Sequence, residues 1–296
     1  MDNARCDSNQ ITRDYLDSLL IEMRHIDSRL PDTHIILFGQ RFSMPIATAA
    51  LSHLNNTTPD GMKKMAAGAF AADALCFSGM GEAEEIQAMC ATGAKVIKII
   101  KPHADNDTVF AKIREAEEAG VFGVGMDIDH AFSGDGAYDN VCGLPMKPKS
   151  LEEMTRFVKA TKLPFIVKGV LSATDAKKSM EMGAAAIVVS HHHGIMDYAV
   201  PPLMVLPQIA EEIGGRIPIF VDCCIESGMD AFKALALGAD AVCVGRAIMP
   251  PLKESGAEGV REKLETINRE MKAVMERTAF GSLNEINSSV IHRRSF

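Results

Sequence analysis

The chain has 296 residues, of which 47% are hydrophobic, and this is enough for one large domain or two ordinary ones. Its formal net charge of −8 argues against a nucleic-acid groove or an anionic membrane surface as the partner. No apolar run approaches the roughly 20 residues that a membrane helix needs, and the polar N-terminus MDNARCDSNQ differs from a signal peptide. Seven scattered cysteines without a CxxC pair predict free thiols in a reducing, cytoplasmic compartment.

Short β-branched, apolar runs alternate with helical segments along the chain. Near-continuous apolar runs are typical of parallel strands that are covered on both faces. The helical segments between them end at glycines such as Gly120, Gly183 and Gly238. This alternation predicts βαβ units. The predicted strands are 45–51, 74–79, 95–100, 122–128, 164–169, 186–191, 218–223 and 241–246.

Eight strands at this spacing predict an α/β fold, a single (β/α)8 TIM barrel over residues 1–296. An N-terminal helical extension (1–40) would precede it, and a long C-terminal helix would follow. A doubly wound sheet is the alternative, but the segment ATAALSHLNN after the first strand lacks the glycines of that fold. The long connection 129–150 is rich in glycine, proline and polar residues, which indicates an active-site loop or, alternatively, a mobile insertion.

Polar residues gather at the C-terminal ends of the predicted strands, where a barrel carries its active site. A lone lysine or aspartate there is usually solvated or caps a helix, but several on successive strands favour a shared barrel mouth. Gly245 and Arg246 follow the last strand, and this pair predicts a phosphate group bound there. The strand-end residues are Ser78, Lys98, Asp127, Lys168, His191, His192, His193, Asp222, Gly245 and Arg246.

Three consecutive histidines end the sixth strand. Side chains on a strand alternate between faces, so His191 and His193 would share one side and His192 would face the other. A zinc site needs three or four protein ligands, and no distinctive spacing of histidines and carboxylates accompanies the triplet. We therefore predict no metal, while a polar loop without chemistry remains an alternative.

Two long segments carry a resemblance to a known family. PFIVKGVLSATDAKKSMEMGAAAIVVS and DCCIESGMDAFKALALGADAVCVGR, within residues 164–246, resemble the FMN-dependent 2-hydroxy-acid oxidases and dehydrogenases. This family includes glycolate oxidase, lactate oxidase and flavocytochrome b2, and its second motif reads DGGIRRGTDVxKALALGAxAVxxGR. Weaker similarities follow in the same order at DTHIILFGQRFSMPIATAA, FGVGMDID and FGSLNEI. The chain is thus similar to a divergent, short member of that family.

The resemblance implies FMN as cofactor and a role for each matching residue. It implies that Lys168 lies beside flavin N1 and O2 and that Asp222 contacts the ribityl chain. His192 would be the general base that takes the substrate's hydroxyl proton, and Asp127 would stabilise the resulting imidazolium. The remaining positions implied in cofactor binding are Ala49, Ala50, Ser78, Lys98, Cys223, Cys224, Gly245 and Arg246.

Departures from the family's pattern put the substrate in doubt. The arginine that binds the substrate carboxylate is replaced by Ile195, and Glu226 and Ser227 replace two further arginines. The family's glutamine and active-site tyrosine on the third strand are matched here by Lys98 and Ile100. Because a bidentate cation suits a carboxylate, either another cation substitutes or the substrate lacks that group. The substrate-contact candidates at this stage are His191, His193, Ile195 and Lys101, with Lys98 as a further cation, and Tyr15 faintly resembles an N-terminal active-site tyrosine.

These residues leave several functions open. The first is an FMN-dependent oxidoreductase acting on an atypical small molecule, with dioxygen, a quinone or a partner flavoprotein as electron acceptor. The second is a non-redox enzyme that uses reduced flavin, as in the type 2 isopentenyl-diphosphate isomerases, or a flavin-dependent reductase. A barrel that binds no flavin is the third. The family resemblance further implies a homotetramer.

Overall fold

The computed structural model describes residues 6–295 and begins with a segment that packs outside the barrel. Helix α1 spans Ser8–Ser18 and is followed by strands β1 (Leu19–Ile21), β2 (Ile35–Leu37) and β3 (Gln40–Phe42). Asp7 caps α1 by accepting a hydrogen bond from the Asn9 N–H. The N-terminal extension is therefore partly helical and partly extended.

The predicted barrel is confirmed, because eight parallel strands form one closed sheet. Strand β13 pairs with β4 through Val242 opposite Ile46 and Val244 opposite Thr48, which closes the ring. In chain order the barrel strands are β4 (Ile46–Leu51), β5 (Cys76–Ser78), β6 (Val96–Ile100), β7 (Gly123–Asp127), β10 (Phe165–Val170), β11 (Ala186–Val189), β12 (Ile219–Val221) and β13 (Ala241–Val244).

Helices surround the barrel and connect its strands. Helix α5 begins with a capping box between Ser150 and Glu153, and Asp105 caps α4. The helices are α2 (Gly61–Ala71), α3 (Ala83–Cys90), α4 (Asn106–Glu118), α5 (Leu151–Lys159), α6 (Ala173–Glu181), α7 (Pro202–Ile213), α8 (Gly228–Ala236) and α9 (Met249–Thr278). The last of these is the long C-terminal helix that the sequence predicts.

Two apolar cores follow from the alternation of side chains along each strand. The inner core fills the barrel and contains Ile97, Ile99 and the edge-to-face ring pair of Phe77 and Phe220, whose centroids lie 5.3 Å apart. The outer core lies between strands and helices. A polar residue at the inward position that ends a strand therefore lies at the mouth of the barrel.

Two short sheets outside the barrel complete the fold. Strand β14 (Ile291–Arg293) pairs with β1 and ties the two ends of the chain together. The connection 129–150 contains the hairpin of β8 (Asn140–Val141) and β9 (Leu144–Pro145). Among the described residues, no helix is both long and apolar enough to cross a membrane.

Candidate active site

A buried ionic triad lies at the mouth of the barrel. Asp127 ends β7, and its Oδ1 lies 2.9 Å from Lys168 Nζ, while its Oδ2 accepts a hydrogen bond of 2.8 Å from Lys101 Nζ. Burial by itself would raise the pKa of Asp127, but the two lysines outweigh it and hold that pKa well below its usual range. Burial likewise opposes the charge on Lys168, and Asp127 and Asp222 raise its pKa instead. Asp127 and Lys168 are therefore both held charged.

His192 lies beside this triad, on the turn after β11. Its Nδ1 is 2.9 Å from Asp129 Oδ1 and 3.8 Å from Asp127 Oδ1. Asp129, rather than the expected Asp127, is thus the direct hydrogen-bond partner of His192. A carboxylate acceptor keeps the proton on Nδ1 and makes Nε2 an acceptor. Within residues 6–295, no hydrogen-bond partner occupies that Nε2.

Sequence reasoning missed Asp129, although a signal for it existed. Asp129 follows Asp127 by two residues at a strand end, so the two side chains point in the same general direction. The carboxyl group of Asp129 packs against Gly169, where an added Cβ would lie 2.4 Å from Asp129 Cγ. That glycine has a φ of +93°, which other residues rarely adopt, and its lack of a side chain leaves room for the Asp129 carboxyl group.

A second histidine from the long connection also reaches the mouth. The rings of His130 and His192 meet edge to face with centroids 5.0 Å apart. His130 Nδ1 lies 2.8 Å from Asp139 Oδ2, and burial lowers the pKa of His130. Residues 129–150 thus supply three side chains to this region, Asp129, His130 and Asp139, none of which the sequence singled out.

A cavity of about 280 Å³ opens next to Lys168 and His192. Most of the residues predicted to contact a cofactor line it, while Ser78 and Lys98 do not. Ser78 is fully buried with an unpartnered Oγ. The predicted residues that line the cavity are Ala49, Ala50, Lys168, His192, His193, Asp222, Cys223, Cys224, Gly245 and Arg246, together with Glu226.

Comparison with known proteins identifies the family of this barrel. Residues 3–156 and 146–293 match the family described as FMN-dependent dehydrogenase. The chain belongs to the FMN-dependent dehydrogenase family. It is therefore an FMN-dependent oxidoreductase, which confirms the resemblance, the enzyme class and the cofactor expected from the sequence.

Individual relatives agree with the family match. The glycolate oxidase of Spinacia oleracea is 29% identical over 92% of this chain and 82% of its own length. The 4-hydroxymandelate oxidase of Amycolatopsis orientalis is 30% identical over 82% of this chain and 78% of its own. A crystal structure of mandelate oxidase superposes with a TM-score of 0.88 at 26% identity, covering 100% of this chain and 94% of that one.

The cavity fits a phosphorylated cofactor such as FMN. Cys223 and Cys224 adopt left-handed φ values of 67° and 59°, a conformation that paired glycines adopt without strain. In the described chain, the N–H groups of Cys223, Cys224, Gly245 and Arg246 donate to no protein acceptor. Backbone N–H groups gathered in this way bind anions, and the Arg246 guanidinium adds a positive charge. Glu226 in the same lining opposes that charge.

Lys98 does not reach the cavity. On β6 the side chains of Ile97 and Ile99 fill the barrel, so Lys98 points outward, where its Nζ donates to the carbonyls of Gly79 and Gly81. Burial lowers the pKa of Lys98 to about 8. This position argues against the expected flavin contact. Ile100 packs in the outer core, whereas Lys101, directly after the strand, lies at the mouth beside Asp127.

The outer two histidines of the triplet contact helix α1. His191 is buried, its Nε2 lies 2.8 Å from Thr12 Oγ1, and its Nδ1 accepts a 2.9 Å hydrogen bond from the Gly194 N–H. His193 lines the cavity but bonds through Nδ1 to Asn9. His191, expected as a substrate contact, therefore holds the turn in place instead.

Ile195 and Tyr15 are two further residues that the sequence singled out. Ile195, at the family's arginine position, is 39% exposed. Tyr15 accepts a 2.9 Å hydrogen bond from Arg293 and is not among the residues that line the cavity.

Ligand atoms of Asp127, Asp129 and His192 lie within 4.8 Å of one another. Because two lysine ammonium groups already contact Asp127, this geometry favours an ionic network over a metal centre.

Proposed function

We propose that the chain catalyses FMN-dependent oxidation of a carbon that bears a hydroxyl group, with His192 as general base. One observation carries this proposal. His192 Nδ1 is bonded to Asp129 at 2.9 Å, which directs the basic Nε2 away from the ionic triad, while His192 and Lys168 both line the cavity. A carboxylate that orients a histidine in this way prepares it to accept a proton.

FMN, when bound, supplies the hydride acceptor. His192 Nε2 accepts the hydroxyl proton while the carbon–hydrogen bond breaks, and Asp129 stabilises the imidazolium that forms. Lys168, which is held charged by Asp127, provides a fixed positive charge at the inner end of the cavity. Arg246 and the free N–H groups of Cys223 and Cys224 hold the phosphate at the other end.

The substrate of this chain differs from a simple 2-hydroxy acid. Ile195 replaces the cation that would bind a carboxylate, and an isoleucine side chain offers no hydrogen-bond donor. Residues 129–150 bring His130 to the mouth and serve as the active-site loop. Electrons leave the enzyme to dioxygen, a quinone or a partner flavoprotein. The same proposal includes a cytoplasmic homotetramer, supported by the free cysteines and by the family resemblance.

A second candidate is a non-redox reaction that needs reduced flavin, such as an isomerisation. The arrangement that favours it is the pair of buried lysines, Lys101 and Lys168, around Asp127. Positive charge concentrated near the flavin would stabilise its reduced, anionic form. Such an enzyme would turn over only after prereduction and without net flavin oxidation.

The test is reduction of the FMN-loaded enzyme by substrate without oxygen, measured as the loss of flavin absorbance. A panel of hydroxy compounds should include one that bleaches the flavin, and His192→Ala should abolish bleaching while FMN stays bound. His292→Ala, on the exposed strand β14, is the matched control. Lys168→Ala should weaken FMN binding or flavin reduction. Bleaching by His192→Ala at the unmutated rate would refute the general base, and a chain that takes up no FMN would refute the whole proposal.

A further inference from the structure

We propose that the substrate carries an uncharged carbonyl group beside its hydroxyl, as in a 2-hydroxyamide or a 2-hydroxy ester, instead of a free carboxylate. This inference rests on the proposed function, because it assumes that the hydroxyl carbon is the one oxidised. The inference depends on the positions of the basic side chains near the mouth, which are the candidates to replace the missing arginine.

The lysines near the mouth are already paired. Lys101 and Lys168 both contact Asp127, at 2.8 and 2.9 Å, and their side chains are only 9% and 6% exposed. Moving either one to a substrate carboxylate would deprive the buried Asp127 carboxylate of a partner, which is strongly unfavourable for a buried charge. Lys98 lies outside the barrel wall, bonded to the carbonyls of Gly79 and Gly81.

The outer two histidines of the triplet and the nearest arginine also have protein partners. His191 is bonded at both ring nitrogens, to Thr12 and to the Gly194 N–H, so it has no donor left for a substrate. His193 is bonded to Asn9 through Nδ1. Arg246 lies at the phosphate end of the cavity and also contacts Asn9, at 3.4 Å.

Among the described residues, His130 is a further basic side chain beside His192, and its buried Nδ1 lies near a carboxylate without making a hydrogen bond to it. Its Nδ1 is 2.8 Å from Asp139 Oδ2. Burial lowers the pKa of His130, so the neutral imidazole predominates near pH 7. A neutral imidazole donates one hydrogen bond at most, which suits a carbonyl oxygen better than a carboxylate.

The charged groups at the mouth also disfavour a substrate carboxylate. Three carboxylates, Asp127, Asp129 and Asp222, surround two ammonium groups, Lys101 and Lys168, beside His192. The carboxylates at the mouth therefore outnumber the lysine ammonium groups. A substrate carboxylate would add to that excess in a poorly solvated site, whereas an amide or ester would not.

Apolar side chains flank the same turn and loop. Ile195, Met196 and Tyr198 follow His192 and are 39%, 62% and 70% exposed. Phe132 and Tyr138, on the loop that carries His130, form a ring pair with centroids 5.7 Å apart. These surfaces favour a substrate with an apolar body on the far side of its carbonyl group.

The chemistry balances within the enzyme. The hydroxyl proton passes to His192, the hydrogen on the same carbon leaves with two electrons to FMN, and the carbon–oxygen single bond becomes a double bond. The product is the corresponding 2-oxo amide or ester. No further reactant is needed for this half-reaction.

The experiment compares matched pairs in anaerobic stopped-flow bleaching of the FMN-loaded enzyme, namely mandelate with mandelamide and with methyl mandelate, and lactate with lactamide. The neutral member of a pair should reduce the flavin at least about tenfold faster at low concentration. Faster reduction by the acids would overturn this inference and leave the proposed function standing. If no member of any pair reduces a flavin that dithionite does reduce, the proposed function fails, and this inference fails with it.

Substitution of Ile195 by a cation should reverse the preference for the neutral substrate over the acid. Ile195→Arg restores a cation at the turn and should improve the reaction with the acid over that with the amide by about tenfold or more. Ile195→Lys, a smaller change in shape, is the second variant if the first fails to fold. Met204→Arg on α7 adds the same charge to an exposed position away from the mouth and should leave the preference unchanged. An unaltered ratio in folded Ile195→Arg and Ile195→Lys would overturn the inference.

Discussion

Asp129→Asn tests whether Asp129, rather than Asp127, supports the general base. The substitution keeps an oxygen that can accept the His192 Nδ1 proton but removes the negative charge 2.9 Å away. The Asp129 and His192 side chains are 13% and 25% exposed, so solvent screens this charge only in part. Asp127 cannot replace it, because it lies 3.8 Å away and already faces two lysines.

A hydrogen bond between charged groups in such a site contributes up to about 3 kcal/mol. His192 becomes charged only as the reaction proceeds, so we expect nearly all of that loss in the barrier, or roughly 100-fold slower flavin reduction. Anaerobic stopped-flow absorbance measures the rate directly. Asp135→Asn, an exposed aspartate on the same loop, is the matched control. A slowing of less than about threefold by Asp129→Asn would refute the assigned role.

Three further perturbations test other parts of the site. Burial lowers the pKa of Lys98 to about 8 from 10.5, so above about pH 8 the unfolded chain binds more protons than the folded one. The free energy of unfolding should therefore rise by roughly 3 kcal/mol as pH increases through that window, and Lys98→Met should abolish the rise in urea titrations. Thr12→Val removes the partner of buried His191 and should destabilise the fold by about 1–2 kcal/mol, with an unchanged melting temperature counting against the contact. The double variant Cys223→Gly, Cys224→Gly removes the backbone strain of two left-handed residues in the phosphate loop. It should tighten FMN binding by about tenfold in fluorescence titrations, whereas weaker binding would show that the thiols assist it.

The sequence was sufficient for the barrel because its strands are continuous apolar runs separated by capped helices. All eight of them form where the pattern placed them. Side-chain direction at the strand ends was harder to predict. Outward Lys98 and mouth-facing Lys101 lie three positions apart at the end of β6 and so face opposite sides of the strand, and composition alone carries no information on that register.

The partners of His192 could be predicted only in part. The family resemblance drew attention to Asp127, yet the lysines around it leave Asp129 as the closer carboxylate. His130 and Asp139 come from a connection without regular periodicity, so nothing in the pattern placed them at the mouth. The position of His191 depends on α1, which lies 179 residues away from it in sequence at Thr12.

The contacts of α1 also constrain the order in which the enzyme is completed during synthesis. Helix α1 leaves the ribosome before its partners His193, Cys224 and Asp230, which lie more than 180 residues later. The catalytic turn therefore cannot contact α1 until six of the eight barrel strands have been made, and the contacts of α1 with Cys224 and Asp230 need the seventh. A nascent chain released before Asp230 lacks the last strand and the ion pair of Arg13 with Asp230, so α1 is not yet fully anchored beside the turn that carries His192.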